Sequence, residues 1–381
     1  MATIRVLQVF NNMGRGGAES MIMNYYRNMD RNKIQFDFLV HRKERADFDE
    51  EIETLGGVIY HIQPINPLFP KNYYKELRAF LKNHNYYKII HSHLNTFSYF
   101  PLKIAEEFNI PTRIAHAHIA MDPITLGNTF KSIPNILEAL KKIVKQQVKK
   151  KIHNHTTHYF SCSNKAGKWL FGRQIDFFIM NNAIDAMSFI YNPQKAKDLK
   201  KDLKLNNQIV LGHVGRFTHQ KNHEYLLKIF AEVIKQNKQY TLILIGDGPL
   251  QNKIKEQAKN LGVSKHIQFL GVCTNIPELL QVLDVFVFPS FYEGLPVTLV
   301  EAQAAGLKIL ASDTIASEVK LTNDLQFLSI NNSPKLWADT IIKLDFIKKV
   351  NNFQQIVDGN YDIISNTKEI EKFYHQQIKK S

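Results

Sequence analysis

The sequence predicts an α/β protein of two doubly wound domains facing each other across a cleft. Three observations carry that expectation. Short apolar runs alternate with amphipathic stretches through the first half of the chain, and the alternation starts afresh in the second half. Alternation of this kind means parallel sheets joined by crossover helices. A polar break, Asn181-Asn182-Ala183-Ile184-Asp185 followed by residues 191–207, separates the two series. The length, 381 residues, suffices for two cores of that size.

The elements follow in order. Strands are expected over 4–10, 35–40, 58–62, 88–91, 112–117, 158–162 and 177–180, with helical patterns such as 19–29, 73–83 and 164–171 between them. The second series places strands at 209–214, 241–245, 267–270, 285–288 and 308–311. These runs are nearly continuous in Val, Ile, Leu and Phe, as strands covered on both faces are. Residues 296–305 read as a helix, with Pro296 near its first turn and Gly306 just past its end. The last segment, 367–380, carries Ile370, Phe373, Tyr374 and Ile378 at helical spacing. The domains are therefore 1–182 and 183–365.

A hydrophobic content of 44% and a charged content of 22% are those of a globular protein. The net charge of +14 calls for an anionic partner: a nucleotide, a phospholipid surface or a nucleic acid. No nucleic-acid module accompanies the charge, and the basic residues are not interleaved with stacking aromatics, so nucleic acid is not expected. Cys162 and Cys273 stand too far apart to suggest a disulfide framework or a zinc site. Residues 4–10 read as a strand rather than a signal segment, and no apolar run approaches a membrane span. The expected location is cytoplasmic, either free or peripheral on the inner face of the plasma membrane.

The most informative string is F-P-S-F-Y-E-G-L-P-V-T-L-V-E-A-Q-A-A-G, residues 288–306. Glu293 sits on the loop leaving the C-terminal end of a strand, where open α/β sheets bind ligands. Glu301 lies more than one turn into the following helix. The backbone N–H groups of residues 294–297 form a helix N-terminus, which attracts anions. One acid before that site and one beyond it suit a ligand with phosphate in the middle and hydroxyls at both ends, the shape of a nucleotide sugar. In G-H-V-G-R-F-T-H-Q-K-N-H, residues 212–223, Arg216 and Lys221 follow another strand end. Two cations on one such loop can neutralise a diphosphate without a metal.

These strings resemble the E-x7-E and G-R-x5-K elements of the family 4 retaining glycosyltransferases, which have the GT-B fold of two Rossmann-like domains. The resemblance implies that Arg216 and Lys221 bind the donor diphosphate and stabilise it as leaving group. It implies that Glu301 holds the ribose hydroxyls. Glu293 would reach the donor sugar, with the N–H groups of Gly294 and Leu295 helping to hold sugar and phosphate. Backbone groups near Gly271 and Val272 would contact the base. The loop carrying Gly16 and Gly17 would line the acceptor side, and the end of the strand over 112–117 would offer a His to the transferred sugar, His118 or alternatively His116. Asp122 on the same loop would touch the acceptor. The final helix, 366–381, would cross back to the first domain.

Segments 166–172 and 178–185 look like those of bacterial exopolysaccharide and capsule glycosyltransferases, although Asn182-Ala183 stands where much of the wider family has Asn-Gly. The implied activity moves a sugar from a nucleoside diphosphate sugar, uridine-linked, to a lipid-linked saccharide. No cofactor and no metal are expected. The alternative is a nucleotide-sugar 2-epimerase of related fold. Asp47-Phe48-Asp49 spells a D-x-D metal signature, but within an amphipathic pattern rather than after an apolar strand, and reads as a solvated acidic helix start. Residues 131–151 hold seven lysines and one acid, Glu138. With Ile133, Ile136, Leu137, Leu140, Ile143, Val144 and Val148 at helical spacing, this stretch reads as an ordinary helix packed on the first-domain sheet or as a membrane-facing one, and under either reading its lysine face can meet anionic headgroups.

Overall fold

The computed structural model describes residues 3–119, 136–293, 295–345 and 349–380, and within 136–142 the backbone alone. It divides into two compact units. One comprises Met1–Ala183 together with Ile363–Ser381, and the other is Ile184–Asp362.

The first unit holds a seven-stranded parallel sheet in the order β3-β2-β1-β4-β5-β6-β7. The strands are β1 (Ile4–Phe10), β2 (Ile34–Val40), β3 (Ile59–His61), β4 (Ile89–Ser92), β5 (Thr112–Ala117), β6 (His158–Ser161) and β7 (Phe178–Ile179). Every residue of β2 is buried, because helices cover both faces. On one face Met21, Ile22 and Tyr25 of the helix Gly17–Asn28 pack with Ile370 and Tyr374 of the last helix, Ile363–Lys380. On the other, Leu77, Leu102 and Leu170 come from the helices Lys71–Asn83, Tyr99–Glu107 and Asn164–Phe171. Each fully buried side chain of this size stabilises the unit by about 1.5–3 kcal/mol before entropy is counted.

The second unit repeats the plan with six parallel strands, in the order β10-β9-β8-β11-β12-β13. These are β8 (Ile209–Val214), β9 (Tyr240–Ile245), β10 (Ile267–Gly271), β11 (Val285–Phe288), β12 (Lys308–Ser312) and β13 (Leu325–Leu328). The predicted strands match to within one residue at each end. β13 was not predicted. It pairs on one side only, with β12, and just one of its residues, Leu325, is fully buried.

Both sheets reverse direction of growth once. In the first unit the chain adds strands outward from β1, then returns to add β4 at its other side; in the second, β8 and β11 play those parts. At such a switch the two connecting loops diverge and leave a crevice at the C-terminal strand ends. Among the described residues no helix is long and apolar enough to cross a membrane. The helix Ile136–Lys151 packs Val148 and Val144 onto the first unit's core and leaves Ile143 55% exposed. Its described apolar positions are thus mostly turned inward. Ile133 and Asp122 lie outside the described residues.

Candidate active site

The second unit's switch point brings two predicted residues together. Lys221 follows β8 and Glu293 follows β11, and their Nζ and Oε1 atoms lie 2.7 Å apart. Both side chains are mostly buried, at 16% and 8% exposure, so water screens the pair only partly. The loops carrying them are clamped. Gln220 Nε2 donates to the Tyr292 carbonyl at 3.0 Å and to Glu293 Oε2 at 3.1 Å. Asn222, held at φ 53°, donates from Nδ2 to the Pro289 carbonyl at 3.0 Å. His219 stacks on Phe291 with centroids 4.7 Å apart. Lys221 Nζ also lies 4.6 Å from the centre of the Phe288 ring.

Arg216 stands on the same loop, exposed, with no carboxylate partner among the described residues. The backbone beneath it is fixed by its neighbours. Phe217 N–H donates to the Asp247 carbonyl at 2.7 Å, Gly215 N–H to Ile245 at 2.9 Å, and Gly246 N–H to Gly271 at 2.7 Å. Three strand-end loops are therefore laced into one rim. Gly246 must be glycine: its φ is +126°, and a Cβ there would meet the Gly215 carbonyl oxygen at 2.4 Å. Gly271 turns at φ +69° and leaves Val272 62% exposed at the rim.

The helix Val297–Ala304 begins directly after the Glu293 loop, with no side-chain cap at Pro296, so its first N–H groups have no side-chain acceptor at the cap. Leu295 packs against the unit's core; Gly294 lies outside the described residues. The Glu301 carboxylate on this helix has no hydrogen bond or ion pair among the described residues. Burial alone pushes its carboxyl up to about 7. A carboxylate short of partners is poised to accept hydroxyl donors.

In the first unit the exposed Gly16 and Gly17 open the helix after β1. Asp47 contacts Arg15, and Asp49 is buried at the start of the helix Asp49–Thr54, its Oδ2 accepting from Ala46 N–H at 2.8 Å. The acidic helix start that the sequence suggested is present, but Asp49 within it is buried rather than solvated. The four histidines at the ends of β4 and β5 form an arrangement that spacing did not disclose. His91 Nε2 lies 3.0 Å from His116 Nδ1, and His93 Nδ1 lies 2.8 Å from His118 Nε2. His91 Nδ1 also reaches the Tyr374 hydroxyl at 2.9 Å, and His93 Nε2 reaches Gln8 Oε1 at 2.8 Å. His116 is fully buried; His118, two residues on and past the end of the strand, is partly exposed.

Ring nitrogens of His91, His93 and His116 all lie within 4.8 Å of one another, near enough for a shared metal. The ring planes oppose it. A metal binds imidazole in the plane of the ring, yet His91 lies face to face over His93 at 4.3 Å and His116 over His118 at 4.1 Å. The nitrogens instead meet edge to edge in hydrogen bonds across β4 and β5. Burial drives His91, His93 and His116 well below the ordinary imidazole range, and brings His118 down to about 3. All four rings are neutral at neutral pH.

Comparison with known proteins completes the picture. Residues 15–186 match the model described as Glycosyltransferase Family 4, and residues 194–352 the one described as Glycosyl transferases group 1. EpsF of Bacillus subtilis (strain 168), named as a glycosyltransferase, is 35% identical over 89% of this chain and 87% of its own length. The capsular polysaccharide biosynthesis glycosyltransferase CapH of Staphylococcus aureus is 27% identical over 97% of this chain and 98% of its own. Among solved structures, Anabaena HepE in complex with UDP has a TM-score of 0.76 at 18% identity, covering 98% of this chain and 100% of that one. The doubly wound halves are those of the GT-B fold, and the chain belongs to the family 4 glycosyltransferases.

Proposed function

We propose that this glycosyltransferase is retaining and metal-independent, and moves a sugar from a UDP-sugar to a lipid-linked saccharide during surface polysaccharide synthesis. The observation that carries the reading is the Lys221–Glu293 pair at the β8/β11 switch point, with Arg216 on the same loop and without an acidic partner among the described residues. The donor diphosphate takes the place of Glu293 as the partner of Lys221, and Arg216 closes on it with a planar fork. The negative charge that develops on the departing diphosphate is stabilised by these two cations and by the N-terminal end of the helix Val297–Ala304. No metal is required for that task. Glu301 accepts hydrogen bonds from the ribose, and Glu293, released from Lys221, accepts from hydroxyls of the sugar. The rim at Gly271 and Val272 supports the base, with Leu295 and Gly294 beside the sugar and phosphate.

The acceptor falls to the first unit, through the loop at Gly16 and Gly17, Asp122, and His118 facing the transferred sugar. His118 is preferred over His116 because it alone of the two is open to solvent. The polysaccharide setting is supported by the capsular role in the name of CapH, and the uridine donor by the UDP bound to HepE. Attack comes from the face that the leaving group vacates, so the anomeric configuration is kept.

Turnover of a panel of UDP-sugars, with hydrolysis as the readout, tests the proposal. Arg216→Ala and Lys221→Ala are each expected to lose about a hundredfold or more in kcat, the scale of one preorganised charge stabiliser. Saturating chelator should leave the rate unchanged. Calorimetry with UDP alone separates the acids: Glu301→Ala weakens binding, whereas Glu293→Ala spares it. Epimerised UDP-sugar formed without an acceptor would instead establish the 2-epimerase.

A further inference from the structure

Gln8 lies on β1, and His93 and His118 stand one residue past the ends of β4 and β5, the next two strands across the switch point of the first sheet. Gln8 stands directly opposite His91 in the β1/β4 register, on the row that ends at His93. Gln8 Oε1 is a carbonyl oxygen and can only accept. With Gln8 presenting Oε1 at 2.8 Å, the proton of neutral His93 sits on Nε2. His93 Nδ1 is then a bare acceptor. The ring atom facing it at 2.8 Å, His118 Nε2, must be the donor. A neutral imidazole has one proton, so His118 Nδ1 is left with a lone pair and has no partner among the described residues.

The rest of the local structure holds that arrangement still. Phe10 stacks flat on His93, with centroids 4.2 Å apart and ring planes 12° from parallel. Asn95, at φ 52°, accepts the His118 N–H at 2.7 Å and the Ile119 N–H at 3.3 Å through Oδ1. Backbone and ring of His118 are thus fixed separately.

We infer that Gln8 and His93 are positioning residues that hold His118 in the Nε2–H tautomer, so that it meets the transferred sugar as a hydrogen-bond acceptor at Nδ1. The inference rests on the reading above that His118 faces that sugar. It specifies the chemistry of the contact. The group that His118 receives is a free hydroxyl, which donates its proton to Nδ1. A phosphate oxygen or a ring oxygen has no proton to offer there. The donor sugars accepted by this site carry an unsubstituted hydroxyl at the position that meets His118, and His118 neither protonates the leaving group nor acts as its cation.

Long-range proton–nitrogen spectra of the full chain labelled with 15N-histidine, in the absence of ligand, read the tautomers directly. Wild type should show His93 and His118 each as a single Nε2–H tautomer. His93→Phe keeps the ring stacked on Phe10 but removes the acceptor, and His118 should then average between tautomers. His93→Asn restores an acceptor at the same place and should restore the single tautomer. Hydrolysis of whichever UDP-sugar is turned over should fall about tenfold in His93→Phe, the scale of one hydrogen bond, and recover in His93→Asn. A wild-type His118 protonated on Nδ1, or one unaffected by His93→Phe, would overturn the inference. The sugar-facing reading fails separately. In that case the tautomers behave as described, but neither UDP-hexoses nor UDP-N-acetylhexosamines shift His118 Nδ1 beyond the effect of UDP.

Discussion

Glu301, given to the donor ribose in the function proposed above, stands in an environment that titration can read. Its carboxyl is raised to about 7 by burial, against an ordinary value near 4.5. A raised acid favours the protonated native state. The stability that this contributes is whole below pH 4.5 and is lost as pH climbs through about 7. Glu301→Gln should therefore melt like wild type near pH 4.5 and above it at pH 8, by at most about 3 kcal/mol. UDP should bind wild type more tightly as pH rises through the same window, because ribose hydroxyls donate to the ionised form, while Glu301→Gln loses that dependence. Melting and calorimetry at pH 6, 7 and 8 check both. Parallel pH profiles for the two proteins would show that Glu301 does not ionise in the site. Much at this scale was legible: the spacing already put Arg216, Lys221 and Glu293 on strand-end loops and Glu301 inside a helix, where the structure has them. The pairing of Lys221 with Glu293 was not, since it depends on β8 and β11 lying side by side although β9 and β10 intervene in the chain.

At the scale of elements, the predicted strands came through because buried parallel strands are long uniform runs of branched and aromatic residues. The edge strand β13 escaped because Gln326 interrupts the apolar run of Leu325–Leu328, and it pairs on one side only, with β12. The histidine ladder escaped too. Spacing of two put His91 beside His93 and His116 beside His118 on one face, but no sequence rule places β4 against β5 in the register that joins them. The laced rim makes a sharp test of element packing. Gly246→Ala meets a backbone oxygen at 2.4 Å in a disfavoured conformation, and should cost about 2–4 kcal/mol. Gly262→Ala, at φ +71° with nothing within 4 Å, should cost only about 1 kcal/mol. Chemical denaturation of both variants measures the gap. The helix Ile136–Lys151 invites a second test. Lys149 lies 4.1 Å from the centre of the Trp169 ring and is part of the fold, whereas Lys150 and Lys151 are exposed. Lys141, Lys142, Lys150 and Lys151, all changed to Gln, should release the protein from anionic vesicles at low salt while neutral vesicles bind neither form. The scale is about 1 kcal/mol per lysine near the surface. Equal sedimentation of the variant would leave the helix as scaffold only.

At the scale of the whole molecule, buried neutral histidines set the response to acid. His91, His93, His116 and His213 are held well below the ordinary value of 6.5, and His41 and His223 are brought to about 4, in each case by burial. A lowered histidine stays neutral in the native state while its unfolded counterpart takes a proton. Its contribution is whole above pH 6.5 and fades as pH falls below it. Each such group costs up to about 1.4 kcal/mol per pH unit in that range. Melting temperature should therefore drop steeply between pH 6.5 and 5, opposite in sign to the effect of Glu301. A flat profile there would mean that the ladder is solvated in solution.

The last helix, Ile363–Lys380, closes the first unit although the whole second unit precedes it in the chain. Tyr374 completes the contact to His91, and Glu371 accepts the Asp30 N–H at 2.6 Å. On the ribosome the amino-terminal half is therefore made first but cannot be finished first. The second unit, one uninterrupted stretch, has all its residues available while the first still waits for its final helix. The usual order of domain maturation during synthesis is reversed here. A stop codon near residue 362 would strike hardest at the part of the protein translated earliest.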